Sequence, residues 1–110
     1  MDKVLSLLGL ARQAGRLEAG FDACRKAARS GRAALLVAAA DISEKTYKNL
    51  CYEARRSGAE AVRLGTGMDE LGRACGVRAG VVAVNDKGFA GAVLKELDQS
   101  RNREKEEDSL

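Results

Sequence analysis

Basic side chains recur at helical spacing between positions 25 and 32, and they offer the clearest chemistry in this sequence. Arg25, Lys26 and Arg29 fall on the polar face of a predicted helix, and Arg32 follows its end. Guanidinium and ammonium groups donate hydrogen bonds to phosphate oxygens. A charged helix face is also common on proteins that bind nothing there. These residues therefore permit a phosphate-rich partner without requiring one.

Residues for acid–base, nucleophilic or metal chemistry are scarce. The sequence has no histidine, which excludes His general bases, Ser-His and Cys-His dyads and histidine-containing zinc sites. Cys24, Cys51 and Cys75 fall among apolar helical positions without paired spacing, which predicts reduced thiols in a cytosolic core. The Gly65-x-Gly67 pair lacks the third glycine of a dinucleotide loop, and no P-loop is present. We expect no enzyme activity, metal or cofactor.

Length and charge indicate one folded unit with a charged end. The 110 residues fit one domain, predicted over 1–98. Positions 1–97 carry 16 basic and 11 acidic residues, whereas 98–110 carry 3 and 5, so 99–110 is predicted to be a flexible tail. Aromatic residues are 4% of the chain, which disfavours base-stacking platforms. We expect a cytoplasmic protein, because no signal peptide or membrane-length apolar run is visible.

Helical patterns alternate along the chain with short apolar runs, which predicts an α/β layered sandwich with helices on both faces of a small sheet. Asp2 is expected to cap the first helix, and 41–44 has the spacing of a capping box for the third. Gly58 and Gly76 are expected to end helices. The predicted helices are 1–13, 20–30, one beginning after 44 and ending at 58, 68–75 and one beginning after 86. The predicted strands are 16–18, 33–40, 61–64 and 81–84.

Five segments resemble, in order, those of one protein family. They are 8–15, 20–26, 35–41, 71–76 and 85–90, and the most specific is the sequence LGRACG at 71–76. The chain resembles the kink-turn-binding ribosomal-protein family, which includes archaeal and eukaryotic large-subunit ribosomal proteins, and within it the bacterial YlxQ-type branch. The resemblance covers about 3–97. It implies a three-layer α/β/α sandwich around a small four-stranded mixed sheet, with RNA as the partner.

The resemblance also implies where RNA is bound. In the family, the start of the second helix enters the major groove at a kink flanked by sheared G·A pairs, with the motif Gly-x-Asn-Glu-x-x-Lys. Gly20 and Lys26 match this motif, whereas Asp22 and Ala23 replace the Asn and the Glu. A lysine donates to guanine O6 and N7, but an aspartate only accepts hydrogen bonds and repels phosphate.

The loop 77–80 matches the family loop that packs against the bulged nucleotide. There Val77 would make an apolar contact and Arg78 a phosphate contact. Lys45 and Tyr47 lie where the family adds a further flank. The residues predicted to bind RNA are Gly20, Phe21, Asp22, Ala23, Arg25, Lys26, Arg29, Lys45, Tyr47, Val77, Arg78, Ala79 and Gly80.

Two functions from different classes remain open at this point. The first is a non-enzymatic RNA-binding protein of the ribosomal-protein type, which binds structured, kink-turn-like or ribosomal RNA and associates with a ribosome or another ribonucleoprotein. The alternative is a protein-interaction adaptor that keeps the fold without kink-turn specificity. Lys26 and Arg78 favour RNA, whereas Asp22 and Ala23 favour the adaptor.

Overall fold

Helices and strands alternate throughout the computed structural model, which describes residues 2–108, with side chains through residue 99. This alternation confirms the predicted α/β fold. In chain order the elements are α1 (Lys3–Gln13), β1 (Leu17–Ala19), α2 (Phe21–Arg29), β2 (Leu35–Ala38), α3 (Glu44–Ser57), β3 (Glu60–Arg63), α4 (Met68–Cys75), β4 (Val81–Val84) and α5 (Lys87–Asp108).

The four strands form one mixed sheet in the order β1-β4-β2-β3. Strand β4 is antiparallel to both β1 and β2, whereas β2 and β3 are parallel. Ala38 therefore pairs with both Val81 and Arg63, and Ala19 pairs with Val82. We call this end of the sheet, marked by Ala19, Ala38, Arg63 and Val81, its upper end. Because α2, α3 and α4 follow β1, β2 and β3, all three helices begin there.

Both faces of the two central strands are buried, which explains why their sequences do not alternate with polar residues. Leu35 and Val37 of β2 point into one core with α1, α4 and α5, whereas Leu36 and Ala38 point into a second core with α2 and α3. Strand β4 divides its side chains in the same way. The three predicted layers are therefore α2 and α3, the sheet, and α1, α4 and α5.

Several helix ends are where the sequence places them. The Asp2 carboxylate caps α1 by accepting from the backbone N–H of Val4 at 2.8 Å. Gly58 and Gly76 end α3 and α4 in the left-handed region, at φ values of 81° and 73°. The Asp86 carboxylate accepts from the N–H of Phe89 at 2.8 Å near the start of α5, which begins after 86 as predicted. The roles of Asp2, Gly58 and Gly76 confirm the predicted start and stop signals.

The predicted capping box at 41–44 is wrong. Ser43 is the N-cap of α3, and its hydroxyl accepts from the N–H of Thr46 at 3.1 Å. Asp41 instead accepts from the N–H of Met68 at 2.9 Å and so caps α4. The parallel pairing of β2 with β3 brings these two loops together at the upper end of the sheet.

The other differences concern element boundaries. Strand β2 begins at Leu35 rather than at 33, because the N–H of Ala33 donates to the carbonyl of Ala27 at the end of α2 instead of joining the ladder. Strand β3 begins one residue earlier than predicted. The backbone of 99–108 continues α5 as a helix. That 99–110 is a flexible tail stays a prediction, and its last two residues lie outside the described range.

The cysteine positions agree with the predicted burial for two of the three side chains. Cys24 and Cys75 are fully buried, whereas Cys51 is half-buried. Burial raises the pKa of the Cys24 thiol to about 12, with a smaller contribution from the nearby charge of Glu18. Burial also raises the pKa of Cys75, although the Arg12 guanidinium opposes this. Both thiols therefore stay protonated at neutral pH, as expected of core residues.

Two candidate features are absent from the part of the chain that the structure describes. No helix there is long and apolar enough to cross a membrane. No group of three or more cysteine, aspartate or glutamate side chains there is placed to hold a metal ion.

Candidate nucleic-acid interface

The start of α2 and the loop 77–80 meet at the upper end of the sheet. The backbone N–H of Gly20 donates to the carbonyl of Val81 at 2.9 Å, which joins the end of β1 to the start of β4. The two segments are about sixty positions apart in the sequence, so only the sheet brings them together. We call residues 20–26 together with the loop 77–80 the RNA edge, after the partner that the sequence predicts.

Gly20 leaves the first turn of α2 open to solvent. Its φ of 101° lies in the region that favours glycine, and a Cβ built on it would meet no atom within 4 Å. No side chain caps this helix. The first backbone N–H groups of a helix have no partner within the helix, and together they attract anions. The start of α2 is therefore accessible and suited to a phosphate.

Asp22 pairs with Arg25 one turn further along α2. Their side chains form an ion pair of 3.0 Å, and 80% of the Asp22 side chain is exposed. Asp22 accepts from no backbone N–H of the helix start among the described hydrogen bonds, so it does not act as a cap. Pairing with Arg25 partly neutralises a carboxylate that would otherwise repel phosphate.

Lys26 and Arg29 lie on the same side of α2 but have different surroundings. Lys26 is exposed, and no carboxylate pairs with it among the residues with described side chains. Arg29 makes two hydrogen bonds, of 3.0 and 3.2 Å, to the carboxylate of Glu53 on α3. These bonds raise the pKa of Arg29, and Glu53 is only 7% exposed. Lys26 is thus available to a ligand, whereas Arg29 holds α2 against α3.

The loop 77–80 presents two side chains and hides a third. Val77 is 46% exposed, and Arg78 is exposed with only a long contact of 3.5 Å to the exposed Asp69. Such an exposed pair contributes little stability, so Arg78 can exchange Asp69 for a phosphate. Ala79 is buried, which leaves its side chain no role at the surface. Gly80 packs tightly under Ile42, whose side chain occupies the space of a Cβ.

Gly72 holds the loop in this position, although the sequence analysis did not single it out. A Cβ on Gly72 would lie 3.0 Å from the Cα of Arg78 and 3.4 Å from the carbonyl oxygen of Val77. The loop backbone therefore packs directly on the helix backbone of α4. The sequence did offer a signal for this role, since Gly72 lies inside a predicted helix, within the LGRACG segment. A glycine there lowers helix stability relative to alanine, so its presence indicates that another part of the chain packs against it.

A matched pair of substitutions tests this packing. Gly91 also lies inside a helix, α5, but a Cβ there would meet nothing within 4 Å. Gly91→Ala should therefore raise the free energy of unfolding by about 0.5–1 kcal/mol through helix propensity. Gly72→Ala should lose this gain and be less stable than Gly91→Ala by about 1 kcal/mol or more, because its Cβ meets loop backbone. Urea unfolding measures both, and equal gains would show that the loop does not rest on Gly72.

Lys45 and Tyr47 begin α3 and so also lie toward the upper end of the sheet. Lys45 is exposed. The ring of Tyr47 is half-buried, and the Arg63 guanidinium lies over it at 4.8 Å from the ring centre. Arg63 also pairs with Glu44 at 2.8 Å. Tyr47 is therefore packed at the β3 edge, and Lys45 is the member of this pair that faces solvent.

Comparison with known proteins identifies the family. The sequence profile of the Ribosomal protein L7Ae/L30e/S12e/Gadd45 family matches residues 2–94. The chain belongs to this family. The large ribosomal subunit protein eL30 of Yarrowia lipolytica (strain CLIB 122 / E 150) is 31% identical over 98 residues, which span 87% of this chain and 90% of that protein.

Two solved structures have the same fold. One is described as a protein with unknown function from Bacillus halodurans C, and it superposes with a TM-score of 0.84 and 31% identity over 89% of this chain and 99% of its own. Its bacterial origin agrees with the bacterial branch that the sequence resembles. The other is the Giardia lamblia 15.5kD RNA binding protein, with a TM-score of 0.71 and 22% identity over 86% of this chain and 82% of its own.

The structure shows where the positions that match the family motif, and those that depart from it, lie at the RNA edge. Two positions match the expected motif. Gly20 lies at the open start of α2, and Lys26 is an exposed lysine without a carboxylate partner among the described side chains. Asp22 and Ala23, the two that differ, lie in the first turn between them. The two matching positions are therefore accessible in the structure, and the two departures change the side chains that lie between them.

Proposed function

We propose that this chain is a non-enzymatic, cytoplasmic RNA-binding protein of the ribosomal-protein type, which binds structured, kink-turn-like RNA through its RNA edge. The observation that carries the proposal is the hydrogen bond from Gly20 to Val81, since it places an uncapped helix start beside an exposed loop. Membership of a ribosomal-protein family and the eL30 relative support it. No cofactor takes part, and the partner is ribosomal RNA or another ribonucleoprotein RNA.

Each part of the RNA edge has a chemical task in this proposal. The open N–H groups at the start of α2 receive a phosphate. Lys26 donates to guanine O6 and N7 in the major groove. Val77 supports an unstacked base, and Arg78 contacts the backbone beside it. Arg25 adds sequence-independent attraction through counterion release, which makes the affinity depend on salt.

The test compares binding of a kink-turn RNA and of a plain duplex at two salt concentrations. A preference for the kink-turn that survives the higher salt supports the proposal, because only the sequence-independent part of the affinity is strongly screened. Equal affinity for both RNAs would show that the chain lacks kink-turn specificity. Absence of RNA binding at either concentration would favour the protein-interaction adaptor.

The same assay tests the two departures from the family motif. Asp22→Asn combined with Ala23→Glu restores the motif and leaves the net charge unchanged. We expect the double variant to bind the kink-turn about 5-fold or more tightly than the parent does, because it gains base-edge hydrogen bonds worth about 1–3 kcal/mol each. Affinity for the plain duplex should stay nearly constant. A gain on both RNAs would mean that freeing Arg25 from Asp22, rather than the restored motif, strengthens binding.

A further inference from the structure

The two helical layers differ in charge. Helices α2 and α3 together carry seven basic and three acidic residues, whereas α1, α4 and α5 together carry eight of each. The excess of four positive charges thus lies on one face of the sandwich. The RNA edge contains two of the three basic residues of α2 and none of the four on α3.

The outward side of α3 carries a continuous polar and basic stripe. At 3.6 residues per turn, its members fall within an arc of about 120°, opposite the buried Leu50 and Ala54. All of them are exposed. We call this stripe the α3 basic face, and it consists of Lys45, Lys48, Asn49, Tyr52, Arg55 and Arg56.

The acidic residues of α3 pair with arginines that lie outside this face. Glu44 pairs with Arg63 at 2.8 Å, and the nearly buried Glu53 pairs with Arg29 at 3.0 Å. Among the residues with described side chains, no carboxylate forms an ion pair with Lys48 or with the two arginines of the face. The positive charge of the face is therefore not neutralised within the described part of the protein.

The α3 basic face begins at the same end of the sheet as the RNA edge. Lys45 begins it near the upper end of the sheet, and from there to Arg56 the helix rises about 16 Å. At that far end Arg56 and Arg29 line one surface depression between α2 and α3, with a volume of about 240 Å³. A polyanion bound at the RNA edge thus meets cations along the whole α2–α3 layer.

The composition of the face favours a nucleic-acid backbone over an acidic protein. Tyr52 is its only large apolar side chain, 53% exposed, with the Arg56 guanidinium 5.6 Å from the ring centre. A protein interface needs an apolar, fully desolvated centre, which this face does not offer. A single aromatic ring also disfavours single-stranded RNA, whose bases require several stacking partners. A duplex backbone requires only cations and hydrogen-bond donors.

We propose that the α3 basic face binds the phosphate backbone of a double-stranded stem that flanks the structured RNA held at the RNA edge. The inference rests on the proposed function, because the RNA edge anchors the stem. About 16 Å of helix is long enough to contact several successive phosphates along one strand of an A-form stem. The face therefore adds affinity through stem length and charge, without reading sequence.

The experiment measures the affinity for a kink-turn RNA with two short stems and for two further RNAs. In each of these, one of the two stems is lengthened by one turn of the duplex. The test variant is Lys48→Ala/Arg55→Ala/Arg56→Ala, and the charge-matched control is Lys3→Ala/Lys87→Ala/Lys95→Ala on the opposite layer. The parent should bind one of the longer RNAs about tenfold more tightly than the short one. The test variant should lose this gain, and the magnitude of its slope of log K against log salt should decrease by about 2–3, at about 0.9 per phosphate contact. The control variant should keep the gain in affinity and the salt slope of the parent.

The outcomes separate this inference from the proposed function. If the test variant keeps the full gain from the longer stem, or loses affinity equally for all RNAs, the stem-binding role is wrong while the RNA edge stands. If the parent binds none of these RNAs, the proposed function itself fails. The single variant Arg55→Ala repeats the test with a minimal change to the surface, and it should reduce the magnitude of the salt slope by about 0.9, a third of the decrease expected for the test variant.

Discussion

Replacing Lys26 by alanine should weaken binding to kink-turn RNA by about 5- to 150-fold. The expected loss corresponds to about 1–3 kcal/mol for one base-edge contact. Lys26 is exposed on α2, six positions after the open helix start at Gly20, and no carboxylate competes for it among the described side chains. In the proposed complex, its ammonium group is therefore available to a guanine of the groove that α2 would enter. Fluorescence anisotropy with a labelled kink-turn RNA measures the loss.

Lys95→Ala is the matched control for this prediction. Lys95 is an exposed lysine of α5, on the opposite layer of the sandwich. Both variants remove one positive charge from the surface, so non-specific attraction should fall equally. Equal losses of affinity for the two variants would mean that Lys26 makes no special contact.

The salt dependence of Lys26→Ala distinguishes a base contact from a phosphate contact. If Lys26 pairs with a phosphate, its removal should lower the slope of log K against log salt by about 0.9. If it donates to a base edge, the slope should change little while the preference over a plain duplex falls. We expect the second pattern, because the resemblance places this lysine at a guanine.

Local patterns were sufficient to predict most of the elements. The run 81–84 is apolar without alternation because both of its faces are buried, and β4 has those bounds. Gly58 and Gly76 end helices in the left-handed region, where glycine has no steric penalty. Both signals act within a few residues of the chain, which is why a single sequence reveals them.

Long-range partners were beyond sequence reasoning. Asp41 has the type and spacing of a cap for the nearest helix, yet it caps α4, which begins 27 positions later. Arg29 resembles its basic neighbours on α2, yet it pairs with Glu53, 24 positions away. In both cases the pairing of β2 with its neighbours and the packing of α2 on α3 decide the partner. No local pattern records these contacts.

The candidate site likewise combines local signals with long-range contacts. Gly20 and Lys26 were assigned to the RNA edge from the motif, whereas the hydrogen bond that joins Gly20 to Val81 depends on the antiparallel pairing of β1 with β4. The α3 basic face has helical spacing that the sequence does display. Sequence reasoning missed it because Glu44 and Glu53 interrupt the charge pattern, and only the structure shows that both pair with arginines outside the face.

Leu36→Ala should lower the free energy of unfolding by about 2–5 kcal/mol, the range for a buried leucine that leaves a cavity. Leu36 is fully buried in the core between the sheet and the α2–α3 layer, where Leu50 is the other leucine of the buried cluster. The remaining buried members of this cluster are mostly alanines, such as Ala27 and Ala83, which have no rotamers with which to fill the space. The upper part of the range is therefore expected.

Leu10→Ala provides the control, because Leu10 is 52% exposed on α1 and its truncation leaves no cavity. It should change the free energy of unfolding by no more than about 0.5 kcal/mol. Urea unfolding followed by circular dichroism measures both variants, with unchanged m-values as the sign that both unfold in two states. Since α2 is positioned by this core, Leu36→Ala should also weaken RNA binding, whereas Leu10→Ala should not. A loss below about 1 kcal/mol for Leu36→Ala would mean that α2 and α3 do not pack on the sheet as described, and the position of the RNA edge would then lose its basis.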